Sequence, residues 1–210
     1  MICVTKISYR FMGCALKKRL FLITECMDNG NLLNFLRTRC DNKPLEEILK
    51  LAIEILYGMV YLEGKCIVHG DLKAANIELD EFNRCKLSGF DNAKKASENS
   101  YYHLSDESIR WAAPELFGGR SLSLKTDVWA FGILLVELMN KGQNPYPYQT
   151  NQSVKQNVLN RKYHDKPKNC PDQIYDTMLL CWKWNPQDRY TFNTIRNMLT
   201  EVSSDKSNYT

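Results

Sequence analysis

A pronounced excess of charge of either sign is missing from this sequence. Its 210 residues include 28 lysines and arginines and 24 aspartates and glutamates, which leaves a formal net charge of +4. Proteins that bind nucleic acids or membrane surfaces concentrate basic charge on one face. The near balance of charges therefore argues against both kinds of partner, and we expect no nucleic-acid ligand.

Long apolar runs and metal-binding cysteine pairs are missing as well. The most apolar stretch, residues 128–139, is too short to cross a bilayer and is typical of a buried helix. No apolar run of signal-peptide length opens the chain. None of the eight cysteines belongs to a C-x-x-C pair, which argues against a structural zinc site. Several cysteines lie in apolar runs and behave there as small hydrophobic side chains. We therefore expect a cytoplasmic protein without a membrane span.

Apolar residues make up 44% of the chain, which is enough to bury a sizeable core. Two short β-branched and aromatic runs, at 3–11 and 20–24, predict a hairpin. Apolar residues recur every three or four positions over 48–62 and predict a long helix. The chain after Pro114 is predicted to be helical down to a polar tail at 203–210. Strands followed by a helical bundle predict the α+β class.

The first motif that carries chemistry is His-Gly-Asp-Leu-Lys-Ala-Ala-Asn at residues 69–76. Phosphoryl transfer to a hydroxyl needs a carboxylate that orients and deprotonates the nucleophile. It also needs an oxygen ligand for the metal that neutralises the phosphates. Asp71 and Asn76 suit these two roles chemically. As an isolated pair, however, they are better explained as turn-forming residues.

Three further motifs follow in order: Ile-Arg-Trp-Ala-Ala-Pro-Glu at 109–115, Thr-Asp-Val-Trp-Ala-Phe-Gly at 126–132, and Cys-Trp with a proline and an arginine at 181–189. With the first motif, they resemble the catalytic loop, the Ala-Pro-Glu segment, the central helix and the Cys-Trp-x-x-x-Pro-x-x-Arg segment of protein kinases. Residues 22–27 resemble the hinge that holds the adenine edge. The resemblance covers residues 2–200.

This resemblance implies a protein-kinase-like fold, with a mostly helical C-terminal lobe and a two-strand remnant of the N-terminal lobe. Lys-Ala-Ala before Asn76, the pair Arg110–Trp111 and the pair Cys181–Trp182 indicate the tyrosine-kinase type, similar to cytoplasmic Src and Tec kinases. The implied partial kinase domain is residues 1–202. Its parts are the small-lobe remnant 1–24, the hinge 25–31 and the helical lobe 32–202.

The resemblance also implies the cofactors ATP and magnesium and a role for each matching residue. The catalytic residues would be the base Asp71 and Lys73, with Asn76 as a magnesium ligand. The residues around ATP would be Thr24, Glu25, Met27, Asn31, Asn34 and, under the adenine ring, Glu78. The regulatory residues would be Tyr101 and Tyr102, and the structural ones His69, Glu115, Asp127 and Arg189, with Glu115 paired to Arg189.

Several positions depart from the family pattern. The metal-binding aspartate-phenylalanine-glycine turn is reversed to Gly89-Phe90-Asp91, so Gly89 has no carboxylate and Asp91 is interpreted as a solvated turn residue. Gly70 stands where the family has an arginine that meets a phosphotyrosine. Glu78 replaces an apolar side chain under the adenine ring, where a buried charge is unfavourable. Residues 105–108 are polar where tyrosine kinases place an apolar residue and a proline that cradle the substrate tyrosine.

The family's glycine-rich loop, strand lysine and helix glutamate precede the hinge. Thr24, the gatekeeper-like residue, follows Met1 by only 23 positions, so we expect most of the N-terminal lobe to be absent. A natural truncation, a mispredicted gene start and a deliberate fragment fit equally. The expected function is a catalytically impaired pseudokinase that binds a protein partner as a scaffold or regulator. The alternatives are a fragment of an active protein tyrosine kinase, transferring phosphate from ATP to protein tyrosine, and a decayed gene product.

Overall fold

A computed structural model describes residues 11–16, 20–40, 43–98 and 102–205. The described part begins with the antiparallel hairpin of β1 (Phe11–Leu16) and β2 (Leu20–Thr24), in which Phe11 pairs with Thr24 and Leu16 with Leu20. The predicted hairpin is therefore confirmed, but its first strand begins where the predicted run ended. The rest of that run, residues 3–10, lies outside the described residues.

Six α-helices follow in the described part of the chain. They are α1 (Leu32–Arg39), α2 (Leu45–Gly64), α3 (Leu124–Met139), α4 (Asn151–Leu159), α5 (Asp172–Cys181) and α6 (Phe192–Ser204). The α6 helix ends two residues after the predicted end of the helical lobe, so the first two residues of the expected polar tail are helical. Within the described ranges, no helix is long and apolar enough to cross a membrane.

Four short strands lie between α2 and α3. They are β3 (Ile67–Val68), β4 (Ile77–Leu79), β5 (Cys85–Leu87) and β6 (Lys94–Lys95). In the described residues β3 pairs with β6 and β4 with β5, which gives three two-stranded sheets with the β1–β2 hairpin. The combination of small two-stranded sheets with a larger set of helices confirms the α+β class.

The core is built around α3, in which every residue from Thr126 to Leu138 is buried. Apart from Asp127 and Glu137, the buried part of this helix is almost entirely apolar, so it can be surrounded by other elements on every side. Ser123 begins α3 with a capping box, because its side chain accepts from the Thr126 N–H while the Thr126 side chain accepts from the Ser123 N–H. Phe131 packs edge-on against Phe192 of α6. The rigid α3 helix carries the groups that hold the site loops in place.

Candidate functional site

The loop at residues 69–76 is fastened to the start of α3 by Asp127. The carboxylate of Asp127 accepts from the backbone N–H of His69 at 2.7 Å and of Gly70 at 2.9 Å. Burial raises the pKa of Asp127 to about 7, and the two N–H donors oppose that shift. Burial also lowers the pKa of His69 to about 4, so its neutral ring donates from Nε2 to the Ser88 carbonyl at 2.8 Å. His69 and Asp127, two of the four predicted structural residues, thus lie in the anchor of this loop.

The predicted catalytic residues are brought together around the carboxylate of Asp71. Its Oδ2 lies 2.8 Å from Nζ of Lys73 and accepts from Nδ2 of Asn76 at 2.7 Å. Asn76 also donates to the backbone carbonyl of Asp71 at 2.7 Å. The short 3₁₀ turn Ala74–Asn76 creates this arrangement, because it folds residue 76 back over residue 71. Such a carboxylate, beside a lysine and an amide, can accept a proton from a hydroxyl.

The remaining oxygen of Asp71 is already engaged by the chain itself. Oγ of Ser108 donates to Asp71 Oδ1 at 3.0 Å, and Oγ of Ser105 donates in turn to Ser108 at 3.3 Å. Ser108 is buried. The sequence showed that residues 105–108 depart from the family pattern, but this contact was not predicted. A substrate hydroxyl that approached Asp71 would find Oδ1 already occupied by the hydroxyl of Ser108.

Gly89 and Asn76 interlock at the position where the resemblance to kinases implied a metal site. Gly89 has φ +71°, and a Cβ built on it would lie 2.5 Å from Cγ and 2.7 Å from Nδ2 of Asn76. The amide of Asn76 thus occupies the space into which any side chain at residue 89 would extend. Asp91 lies in the next short turn, Phe90–Asn92, with its side chain exposed. The expected solvated position of Asp91 is therefore confirmed.

Gly70 has no room for a side chain either. A Cβ on it would lie 2.8 Å from Cδ1 of Leu122 and 2.9 Å from the carbonyl oxygen of Asn92, and its φ is +82°. The half-buried Tyr102 packs in the neighbouring apolar cluster with Leu122 and other residues. Burial, together with the carboxylates of Asp71 and Asp127, raises the pKa of Tyr102 to about 12. The second predicted regulatory residue, Tyr101, lies outside the described residues.

Glu25, one of the residues that the resemblance places around ATP, forms an ion pair that was not predicted. Its Oε1 lies 3.1 Å from Nζ of the buried Lys86. Lys86 is on β5, directly opposite Glu78 on β4. Burial raises the pKa of Glu78, which is only partly buried. A lysine within the apolar strand Cys85–Leu87 was the available sequence signal for a buried cation that needs a charge partner.

The other predicted nucleotide residues lie around the start of α1. Thr24 is the last residue of β2, and the carbonyl of Met27 accepts from the Gly30 N–H in a turn. Oδ1 of Asn31 accepts from the backbone N–H of Asn34 at 2.9 Å and caps the helix. Asn31 therefore has a local structural contact.

Two buried groups connect the Ala-Pro-Glu segment to the helical core. Arg189 is fully buried and donates to both carboxylate oxygens of Glu115, each at 2.7 Å, as the pairing inferred from the family requires. Glu137 of α3 accepts from the N–H of Ala74 at 3.0 Å and from Nε1 of Trp111 at 2.9 Å. Burial raises the pKa of Glu137 to about 7. Sequence reasoning missed Glu137, whose signal is a carboxylate inside the otherwise apolar stretch 128–139.

Comparison with known proteins identifies similar sequences. The family model described as protein tyrosine and serine/threonine kinase matches residues 5–199. The chain is 35% identical to tyrosine-protein kinase Fer of Rattus norvegicus over 191 residues, which are 90% of this chain and 23% of that protein. It is also 35% identical to tyrosine-protein kinase SRK3 of Spongilla lacustris over 201 residues, which are 93% of this chain and 60% of that protein.

The chain thus spans 23% of the length of Fer and 60% of that of SRK3. These similarities confirm the inferred likeness to kinases of the tyrosine type, and the family match confirms the kinase-like α+β fold. Because that match covers nearly the whole chain, this protein belongs to the protein tyrosine and serine/threonine kinase family.

Proposed function

We propose that this chain is a tyrosine-kinase-type domain with impaired phosphoryl transfer, which binds a protein partner as a scaffold or regulator in the cytoplasm. The observation that carries the impairment is the contact between Gly89 and Asn76. Kinase chemistry uses a carboxylate at residue 89 to hold magnesium against the phosphates. In this chain the amide of Asn76 fills that space, and a Cβ at residue 89 would lie 2.5 Å from its Cγ.

The residues around Asn76 do not fit a magnesium ion as they stand. Magnesium is bound through carboxylate oxygens and water in near-octahedral geometry. Asn76 directs its Nδ2 at Asp71, and the carboxylate of Asp91 is exposed in the next turn. Among the described residues, no three histidines, cysteines, aspartates or glutamates form a group that could hold a metal ion. We therefore propose that ATP with magnesium binds weakly.

Glu78 weakens the nucleotide site further in this proposal. A carboxylate beside an aromatic base is unfavourable while it stays charged and dry. Burial already raises the pKa of Glu78, which is what partial desolvation of this carboxyl produces. A bound adenine ring would remove more water from it. The nucleotide would have to bind against this additional desolvation cost.

A second candidate function is an active protein tyrosine kinase of which these residues form a part. The arrangement of Asp71, Lys73 and Asn76 favours it, because the base and its neighbouring lysine and amide lie within hydrogen-bond distance of one another. In that case Asp71 would deprotonate the acceptor hydroxyl, and Lys73 would stabilise the negative charge beside it. Ser108 would have to leave Asp71 Oδ1 before the acceptor could approach.

A turnover assay decides between the two functions. The purified chain is incubated with ATP, magnesium or manganese and a generic tyrosine peptide, in parallel with the matched variant Asp71→Asn. We expect both proteins to give the same background signal. Phosphopeptide formation by the unmodified chain that disappears in Asp71→Asn would establish kinase activity. It would overturn the proposal that phosphoryl transfer is impaired.

A further inference from the structure

An open groove lies on the helical lobe away from Asp71. It has a volume of about 470 Å³ and runs between the 3₁₀ turn Pro114–Gly118, the end of α4 and residues 184–186. Its apolar surface includes Phe117, Leu159 and Trp184, and we call it the Trp184 groove. Leu159 is 38% exposed and Trp184 is 37% exposed. Large apolar side chains that remain exposed together in a concave surface mark interaction sites.

Basic side chains surround this apolar surface. Cζ of Arg161 lies 5.0 Å above the ring of Trp184, and Nζ of Lys155 lies 5.5 Å above the ring of Phe117. Arg120 is exposed and lines the groove directly. Within the described part of the chain, none of these three cations forms an ion pair. Their positive charge is therefore available to a ligand in the groove.

The one acidic side chain that lines the groove is already neutralised. Glu115 is held by both terminal nitrogens of Arg189, and its side chain is nearly buried. The groove thus presents an apolar floor with a positively charged rim. A cation that stacks on an aromatic ring also keeps that ring in a fixed position, which lowers the entropy lost when a ligand binds.

We propose that the Trp184 groove binds an acidic segment of a protein partner that carries one large apolar side chain. The apolar side chain packs on Trp184 and Leu159, and carboxylates on either side of it face Arg161, Lys155 and Arg120. A nucleic acid is a poorer fit, because the floor is apolar and the chain carries a net charge of only +4. This proposal rests on the proposed protein-binding function and names the surface and the chemistry of the partner.

The test uses fluorescence anisotropy with a labelled synthetic peptide in which glutamates flank one phenylalanine. Two control peptides replace the glutamates with lysines or the phenylalanine with alanine. We expect the acidic peptide to bind, both control peptides to bind much more weakly, and added salt to weaken binding because it screens the charges. Trp184→Ala and Arg161→Asn should each weaken binding by roughly tenfold or more. Asparagine is chosen because residue 161 has φ +58°, a left-handed conformation that asparagine adopts more readily than most residues.

The matched control is a second arginine–aromatic pair outside the groove. Cζ of Arg84 lies 5.1 Å above the ring of Phe82, which is 66% exposed. Phe82→Ala should leave the affinity for the acidic peptide unchanged. Circular dichroism checks that each variant is folded, which we expect because both substituted rings are exposed.

Three results would overturn the proposal. They are absence of peptide binding, equal binding by Trp184→Ala and the unmodified chain, and a dimer of this chain that dissociates in Trp184→Ala. Failure of the proposed function is a separate result, since turnover that depends on Asp71 would contradict impaired catalysis. The groove proposal is decided by peptide binding and by the oligomeric state of the chain and of Trp184→Ala, not by turnover.

Discussion

Substitution of Gly89 tests the interlock with Asn76, because any side chain at residue 89 must displace that amide. A residue other than glycine at φ +71° loses about 1–2 kcal/mol. Displacing Asn76 breaks two hydrogen bonds to Asp71, one of them to a charged oxygen. Together these bonds contribute about 2–4 kcal/mol. We therefore expect Gly89→Ala to lower the free energy of unfolding by about 3–6 kcal/mol, a large share of the ~5–15 kcal/mol typical of a domain.

Gly119→Ala is the matched control for this prediction. Gly119 has φ +76°, but no atom lies within 4 Å of a Cβ built on it, so the substitution carries the backbone strain without the collision. Urea unfolding of both variants should show that Gly89→Ala is destabilised by at least about 2 kcal/mol more than Gly119→Ala. The double variant Gly89→Ala/Asn76→Ala should lose less free energy of unfolding than the sum of the losses in the two single variants. Equal effects of the two glycine substitutions would refute the interlock.

Three other predictions concern the surroundings of the site. Tyr102→Glu adds negative charge beside Asp71. Amide hydrogen exchange of residues 102–111 should therefore be roughly tenfold faster in Tyr102→Glu than in Tyr102→Phe, which corresponds to about 1.4 kcal/mol. Equal exchange rates in the two variants would contradict this prediction. Glu137 has a folded pKa of about 7, above the ordinary value of about 4.3. Stability therefore falls as pH rises between these values, and Glu137→Gln should reduce the urea-measured slope by up to about 1.4 kcal/mol per pH unit. If Glu137→Gln left the pH dependence of stability unchanged, titration of Glu137 in this pH range would be excluded. Arg189→Leu leaves Glu115 unpaired and should cost about 3–5 kcal/mol in urea unfolding; a loss under about 1 kcal/mol would show that the pair is dispensable.

The helical lobe was predictable because its signals are local. The apolar repeat over 48–62 marks α2, which runs from Leu45 to Gly64. The start of α6 is local as well, because the side chain of Thr191 caps it by accepting from the Thr194 N–H. The helix within 128–139 could be identified from its uninterrupted apolar sequence, since a helix that is apolar on all faces must be buried.

The contacts that govern the site depend on long-range packing and backbone angles. Asn76 and Gly89 were each noted in the sequence, but the positive φ that places them together is not encoded in any local pattern. The contact of Ser108 with Asp71 joins residues 37 positions apart. The ion pair between the buried Lys86 and the partly exposed Glu25 likewise needs two strands and a turn to be correctly placed. Such contacts follow from the packed fold, and a motif cannot supply them.

Magnesium dependence of nucleotide binding shows whether the residues around Gly89 hold a metal ion. The unmodified chain is titrated with ATP by calorimetry, once with magnesium and once with a chelator. We expect weak binding with the same affinity in both titrations, because Gly89 supplies no carboxylate and Asn76 is turned towards Asp71. An affinity that magnesium raises by tenfold or more, roughly 1.4 kcal/mol, would show that these residues do hold the metal. It would contradict the proposed loss of the magnesium site.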